Sequence, residues 1–294
     1  MSYGYDEGGG SRIRLGLIVA ILIAIFAIGR YMLQTEVNPV TGEKQHIAMT
    51  VDQEKALGLQ AAPQMAAKMG GTFDPEEDER ARLVAEVGRR IVRRSDANRS
   101  PYVGNFHFFL LKDPDTVNAF ALPGGQIFIT LGLFRRLEDE GELAGVLGHE
   151  IGHVIARHSA QQMAKGELGQ LLTLAVGVGA ASSDDRGRGR TAALAAAMAN
   201  QMLQLRYSRK DESQADTLGL EYMAQAGYDP TAMLDVMRIL KEASGDRNPP
   251  EFLATHPLPQ TRLEDIKAYL AEHYPNGVPR SLTRGQPLGR EYGG

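Results

Sequence analysis

Five residues, His149-Glu150-Ile151-Gly152-His153, constrain this chain more than any other feature, and they lie in an Ala/Leu-rich stretch with helical periodicity. On a helix, residues four apart differ by ~400° of rotation, so both imidazoles share one face about 6 Å apart. Two neutral imidazoles in that array can hold one Zn²⁺, and Glu150 beside them can take a proton from a water that the metal activates. The fold must therefore bury a helix that carries polar ligands and bring a further ligand to it.

Two helical histidines leave a catalytic zinc one protein ligand short. A histidine six residues after His153 would complete one known pattern, but that position is Ser159. His158 lies ~180° around a continuous helix from His149, which predicts a packing or supporting role rather than ligation. A later helix is better suited. Between Ser208 and Asp216, Glu212 and Asp216 stand four apart on one face. One carboxylate can ligate while the other accepts the free N–H of a ligating histidine and fixes its tautomer. Asp211, about 100° from Glu212, is the alternative ligand.

The rest of the chain bounds the setting. With 294 residues and a net charge of −4, nothing points to nucleic acid. The absence of cysteine removes disulfides, Cys-ligated zinc and lipidated cysteine. Leu15 to Gly29 carries no charge and spans ~22 Å as a helix, short of the ~30 Å hydrocarbon core. Arg30 can snorkel, and Tyr31-Met32-Leu33 lengthen the apolar run. Arg12 and Arg14 favour a cytoplasmic N-terminus. The expectation is a single-pass signal anchor over 12–34 in the inner (cytoplasmic) membrane, with the catalytic domain on the periplasmic or outer side. The alternative is a signal peptide cleaved near Ala27-Ile28-Gly29 and secretion to the periplasm.

Around the anchor, residues 1–11 read as disordered, 35–50 as a turn-rich linker, 51–274 as the catalytic domain and 275–294 as a loose tail. Helical periodicity covers 51–69 and 75–94. Strands are expected at 105–111, 116–122 and 126–130, with Pro123-Gly124-Gly125 as a turn. Helices then follow over 131–138, 140–164, 167–181, 191–207, 210–226 and 230–243, interrupted by a surface loop at 182–190. The fold class is α+β and mainly α-helical: a zincin-type metallopeptidase domain with a small three-stranded sheet before the metal helix, plus one N-terminal membrane helix.

Four segments together carry a family resemblance. Thr116 to Gly125, His149 to His153, Ser208-Arg209 with Glu212 and Ala215-Asp216, and Thr255-His256-Pro257 with Arg262 resemble the gluzincin metallopeptidases of peptidase family forty-eight, the HtpX/BepA/LoiP-type group. The likeness runs from about residue 38 to 270. One departure is Gln214, where the family often has Glu. The resemblance implies His149, His153 and Glu212 as zinc ligands, Glu150 as general base and Asp216 as the residue orienting a ligand histidine. It also implies that Asn118 and Ala119 lie on a strand edge that pairs with extended peptide.

His256 has two roles open to it if it reaches the zinc: protonated, to stabilise an oxyanion; neutral, to take the open position and hold the enzyme latent. Arg262 is expected to hold that loop by a salt bridge. The implied function is zinc-dependent cleavage of unfolded, misfolded or misassembled envelope proteins at a membrane. The alternative is a zinc-containing chaperone or assembly factor with latent or no protease activity.

Overall fold

Local caps set the helix starts. Asp139 Oδ1 accepts the backbone N–H of Glu142 at 2.9 Å and opens the central helix, and Ser208 and Asp211 form a reciprocal capping box further along. A computed structural model describes residues 8–178, 206–244, 251–257 and 260–288. The expected loop at 182–190, the part of the 191–207 helix before residue 206, and both extreme ends lie outside the described residues.

The elements run α1 (Gly8–Leu33), β1 (Thr35–Val37), β2 (Lys44–His46), α2 (Val51–Lys68), α3 (Glu79–Arg94), β3 (His107–Leu111), β4 (Ala119–Leu122) and β5 (Gln126–Thr130). They continue with α4 (Leu131–Phe134), α5 (Glu140–Ile155), α6 (His158–Val178), α7 (Arg209–Gln225), α8 (Ala232–Ala243), α9 (Phe252–Thr255) and α10 (Gln260–His273). The result is mainly helical with small sheets. The larger sheet has the order β3-β5-β4, with β3 parallel and β4 antiparallel to β5. β5 is buried along its whole length, as the middle strand of such a sheet must be.

α5 is the axle of the domain. Every residue from Gly141 to Ile155 is buried, against α3, α7, α8 and the sheet. Glycines make the α5–α7 approach possible. A Cβ on Gly152 would stand 2.9 Å from the Ala215 carbonyl oxygen, and one on Gly219 would stand 3.1 Å from the His149 amide nitrogen. Side chains at those contacts would push the two helices apart.

Several segments differ from the reading of the sequence, and residues 8–11 open α1 rather than belonging to a disordered end. The span 35–50 is a small antiparallel hairpin, β1–β2, rather than a plain linker. Its buried Asn38 and Gln45 amides donate to the Ile155 and Ala156 carbonyls at 2.7 and 2.8 Å, so the hairpin caps the C-terminus of α5. The expected helix over 140–164 is instead two helices broken at Arg157, a left-handed residue with φ 57°. The stretch after 275 is docked, through residue 288. Gly141 N–H donates to the Arg284 carbonyl and Leu288 N–H to that of Glu138, while the Arg284 guanidinium bridges Asp139, Asp235 and Glu142. Its Pro/Gly/Arg composition concealed this, because the ties are mostly backbone groups that any sequence carries.

α1 packs along α6, with Ala27 buried and Arg30 paired to Glu167 at 2.8 Å. Its outer surface exposes Leu17, Ile18, Leu22, Ile25, Phe26 and Met32 among others. Among the described residues no helix is long and apolar enough to cross a membrane.

Candidate metal centre

α5 presents His149 and His153 on one face, and their Nε2 atoms lie 3.0 Å apart. α7, held close by the glycine contacts, brings Glu212 to them. Its Oε2 is 3.7 Å from His149 Nε2, and its Oε1 is 3.5 Å from His153 Nε2. His256 enters from the turn after α9, with Nδ1 3.0 Å from Glu212 Oε1 and 3.3 Å from His149 Nε2. One donor atom from each of the four buried residues fits within 4.8 Å of all the others.

Donors bound tetrahedrally to zinc at ~2.0–2.1 Å sit ~3.3 Å from one another, close to these spacings. A set of imidazole nitrogens and one carboxylate is also the chemistry zinc takes. The residues present therefore fit the ion. Glu150 lies beside the cluster with Oε1 buried and without a hydrogen bond, and His256 Nε2 stands 3.7 Å from it. That orphaned oxygen is the atom a proton-accepting base needs to keep free.

A shell of polar contacts fixes the cluster. Asp216 Oδ1 is 2.9 Å from His149 Nδ1, which directs His149 Nε2 toward the centre. Arg262, fully buried, donates to both Asp216 oxygens at 2.7 and 2.6 Å and to the Pro257 carbonyl at 3.2 Å, and its Nη1 stands 2.6 Å from Glu212 Oε2. Its ion pairs thus run to α7, while a hydrogen bond to the Pro257 carbonyl reaches the His256 turn. Aromatic faces close the site: Phe252 stacks on His256 at 4.3 Å, and Tyr207 lies over His153 at 4.1 Å.

The electrostatics follow from burial and these charges. Burial raises the Glu150 pKa above the usual carboxylate value, with His256 and His149 acting against the rise. His153 is pushed well below the ordinary imidazole value by burial and by the neighbouring His149. Burial opposes charge on His256, but Glu212 and Glu150 outweigh it and raise its pKa. Glu212 is lowered: burial opposes its charge, while His256 and Arg262 favour it more. Asp216 is held at about 2 because Arg262 and His149 overcome its burial.

Asn118 and Ala119 sit where β4, an edge strand, begins. Both are buried, and the Asn118 backbone is used toward β5: its N–H donates to Thr130 Oγ1 at 3.1 Å and its carbonyl accepts from Thr130 N–H at 3.0 Å. Asp211, the alternative ligand, is spent on the Ser208 amide and on Gln162 rather than the cluster. His158 does not point away. The break at Arg157 invalidates the continuous-helix rotation, and His158 Nδ1 comes within 2.9 Å of His153 Nδ1. Tyr207 and Phe252 also escaped the sequence reading, because nothing in their local pattern separates them from core aromatics.

Comparison with known proteins agrees with this geometry. Residues 78–270 match the profile of Peptidase family M48. A beta-barrel assembly-enhancing protease of Yersinia pestis is 34% identical over 232 residues, covering 78% of this chain and 46% of that protein. The protein of the same name in Escherichia coli (strain K12) is 29% identical over 257 residues, with coverage of 85% and 51%. The mitochondrial metalloendopeptidase OMA1 of Schizosaccharomyces pombe is 30% identical over 243 residues, covering 82% of this chain and 68% of that protein. The chain spans about half the length of the bacterial relatives it matches.

Proposed function

The chain belongs to Peptidase family M48, and we propose that it is a membrane-tethered, zinc-dependent endopeptidase that cleaves misfolded or misassembled envelope proteins. The observation that carries this reading is the four-donor cluster with Glu150 Oε1 left free beside it. His149, His153 and Glu212 would hold the ion. When bound, zinc supplies the Lewis acidity that brings a water to deprotonation near neutral pH and polarises a peptide carbonyl.

Glu150 would accept that water's proton at its carboxylate, whose Oε1 is buried and engaged in no other hydrogen bond. The deprotonated water oxygen would bond to the peptide carbonyl carbon, and the same carboxyl would then deliver the proton to the departing amine nitrogen as the C–N bond breaks, leaving a carboxylic acid and an amine. Asp216 and Arg262 keep His149 and Glu212 in register during the cycle. β4, with its outer edge unpaired among the described strands, offers backbone groups to an extended peptide. A role connected with β-barrel assembly is suggested by the name of the bacterial relatives, beta-barrel assembly-enhancing protease, and the envelope substrates are our extension of it. The apolar run after Arg12 and Arg14 is the sequence basis for proposing an anchor in the inner membrane with the domain on its outer side.

His256 would act as a latch: its Nδ1 lies in the same small volume as the three ligand atoms, and in the neutral form it would supply a fourth donor in place of water. This contact also favours one second reading: a zinc-containing assembly factor in which cleavage is latent. Cleavage of casein by the wild type and by Glu150→Gln separates the readings. The peptidase reading expects loss of nearly all turnover in the variant with zinc retained. Equal turnover in both, or biological activity that survives Glu150→Gln intact, refutes it.

A further inference from the structure

His158 is the buried titratable residue beside the cluster to which the peptidase reading assigns no task. It arrives there because Arg157 turns the chain through a left-handed conformation, the only non-glycine residue to do so among the described residues. The Arg157 side chain holds that turn in place, pairing with buried Glu54, with Glu36 at 2.8 Å and with the Met49 carbonyl at 3.0 Å. His158, the first residue of α6, is thereby laid back against α5. Its Nδ1 is 2.9 Å from His153 Nδ1, and its Nε2 is 3.0 Å from Gln214 Oε1 on α7. The opposite nitrogen of His153, Nε2, faces His149 and Glu212.

Counting protons leaves such a chain of neutral groups two directions. With the Gln214 carbonyl accepting, His158 carries its proton on Nε2 and offers a lone pair at Nδ1. His153 must then donate from Nδ1–H, and its Nε2 lone pair faces the cluster. Run the other way, the Gln214 amide donates to His158 Nε2, His158 donates from Nδ1–H, and His153 must carry its proton on Nε2. In that state His153 cannot ligate.

We propose that Gln214 and His158 are positioning residues, a two-step relay that fixes His153 in the Nδ1–H tautomer and keeps Nε2 open to the metal. The inference rests on His153 being a metal ligand. Ligand histidines commonly donate their second N–H to a carboxylate, carbonyl or water. His149 has Asp216 in that place. For His153 an imidazole fills it, and an imidazole accepts only if a further acceptor holds its own proton on the far side. Gln214 provides that acceptor without adding a buried charge.

The test uses the full chain, ¹⁵N-labelled and zinc-loaded, with long-range ¹H–¹⁵N correlations of the imidazoles. His153 is expected as the Nδ1–H tautomer and His158 as Nε2–H. In parallel, zinc affinity is measured by competition with a chromophoric chelator. Gln214→Met should bind zinc about 10–100-fold more weakly, whereas Gln214→Glu, which retains an acceptor, should stay within about threefold of wild type. Gln214 is only partly buried, so both variants should fold, which circular dichroism checks. A proton on His158 Nδ1, or wild-type affinity in Gln214→Met, overturns the relay while leaving the peptidase reading intact. A wild-type chain that binds no zinc refutes the metal reading and the relay with it.

Discussion

Replacing Arg262 by methionine removes the one fixed positive charge shared by two buried carboxylates while keeping most of the side-chain volume. The guanidinium meets Asp216 at 2.7 and 2.6 Å and Glu212 at 2.6 Å, and it is almost wholly buried. In metal-free protein both carboxylates would lose that counter-charge, a change that costs about 3–5 kcal/mol for a buried pair. With a urea dependence of roughly 2–3 kcal/mol/M for a domain of this size, the unfolding midpoint should fall by about 1–2 M. Zinc should recover part of the loss, because it supplies positive charge to Glu212 directly and to Asp216 through His149. The assay is urea unfolding followed by far-UV circular dichroism, since the chain has no tryptophan. It is run with chelator and again with saturating zinc. A metal-free midpoint within about 0.3 M of wild type, under 1 kcal/mol at that slope, refutes the assignment of Arg262 as the charge that holds this site together.

Gly152→Ala should weaken zinc binding and destabilise the chain by about 1–3 kcal/mol, because its Cβ would meet the Ala215 carbonyl oxygen at 2.9 Å; unchanged affinity by chelator competition counts against the close helix contact. His256→Ala should raise casein turnover by about tenfold or more, and a fall in turnover would refute the latch. Asp216 has a folded pKa of about 2 against an ordinary 3.8, so its contribution is present above pH ~4 and lost as pH falls toward 2. That contribution is about 2 kcal/mol in metal-free protein, and the acid unfolding of Asp216→Asn should lack it. Arg284→Ala should cost about 1–3 kcal/mol by releasing Asp139, Asp235 and Glu142 at the start of α5; a thermal midpoint equal to wild type would show the docked segment to be passive.

Local chemistry explains what was legible in the sequence. The helix with His149 and His153 is visible because metal chemistry, helical spacing and apolar flanks all coincide there. Glu212 and Asp216 are visible because a capped helix displays them one turn apart. The three strands announce themselves by β-branched and aromatic alternation around the Pro123-Gly124-Gly125 turn. The hairpin at Asn38 and Gln45 was hidden, since its value lies in capping carbonyls more than a hundred residues away. His158 was misdirected for a related reason. The ~180° rotation holds only on a continuous helix, and nothing local betrays that Arg157 adopts a left-handed conformation. Long-range pairing of its side chain with Glu54, Glu36 and the Met49 carbonyl sustains that turn.

Zinc stoichiometry by elemental analysis, on the wild-type chain beside His149→Ala and Glu212→Ala, tests the central claim most directly. The account predicts one zinc per wild-type chain and loss of tight binding in both variants. A wild-type chain without zinc, or variants that retain it with undiminished affinity, would contradict the assignment of His149, His153 and Glu212 as the metal ligands.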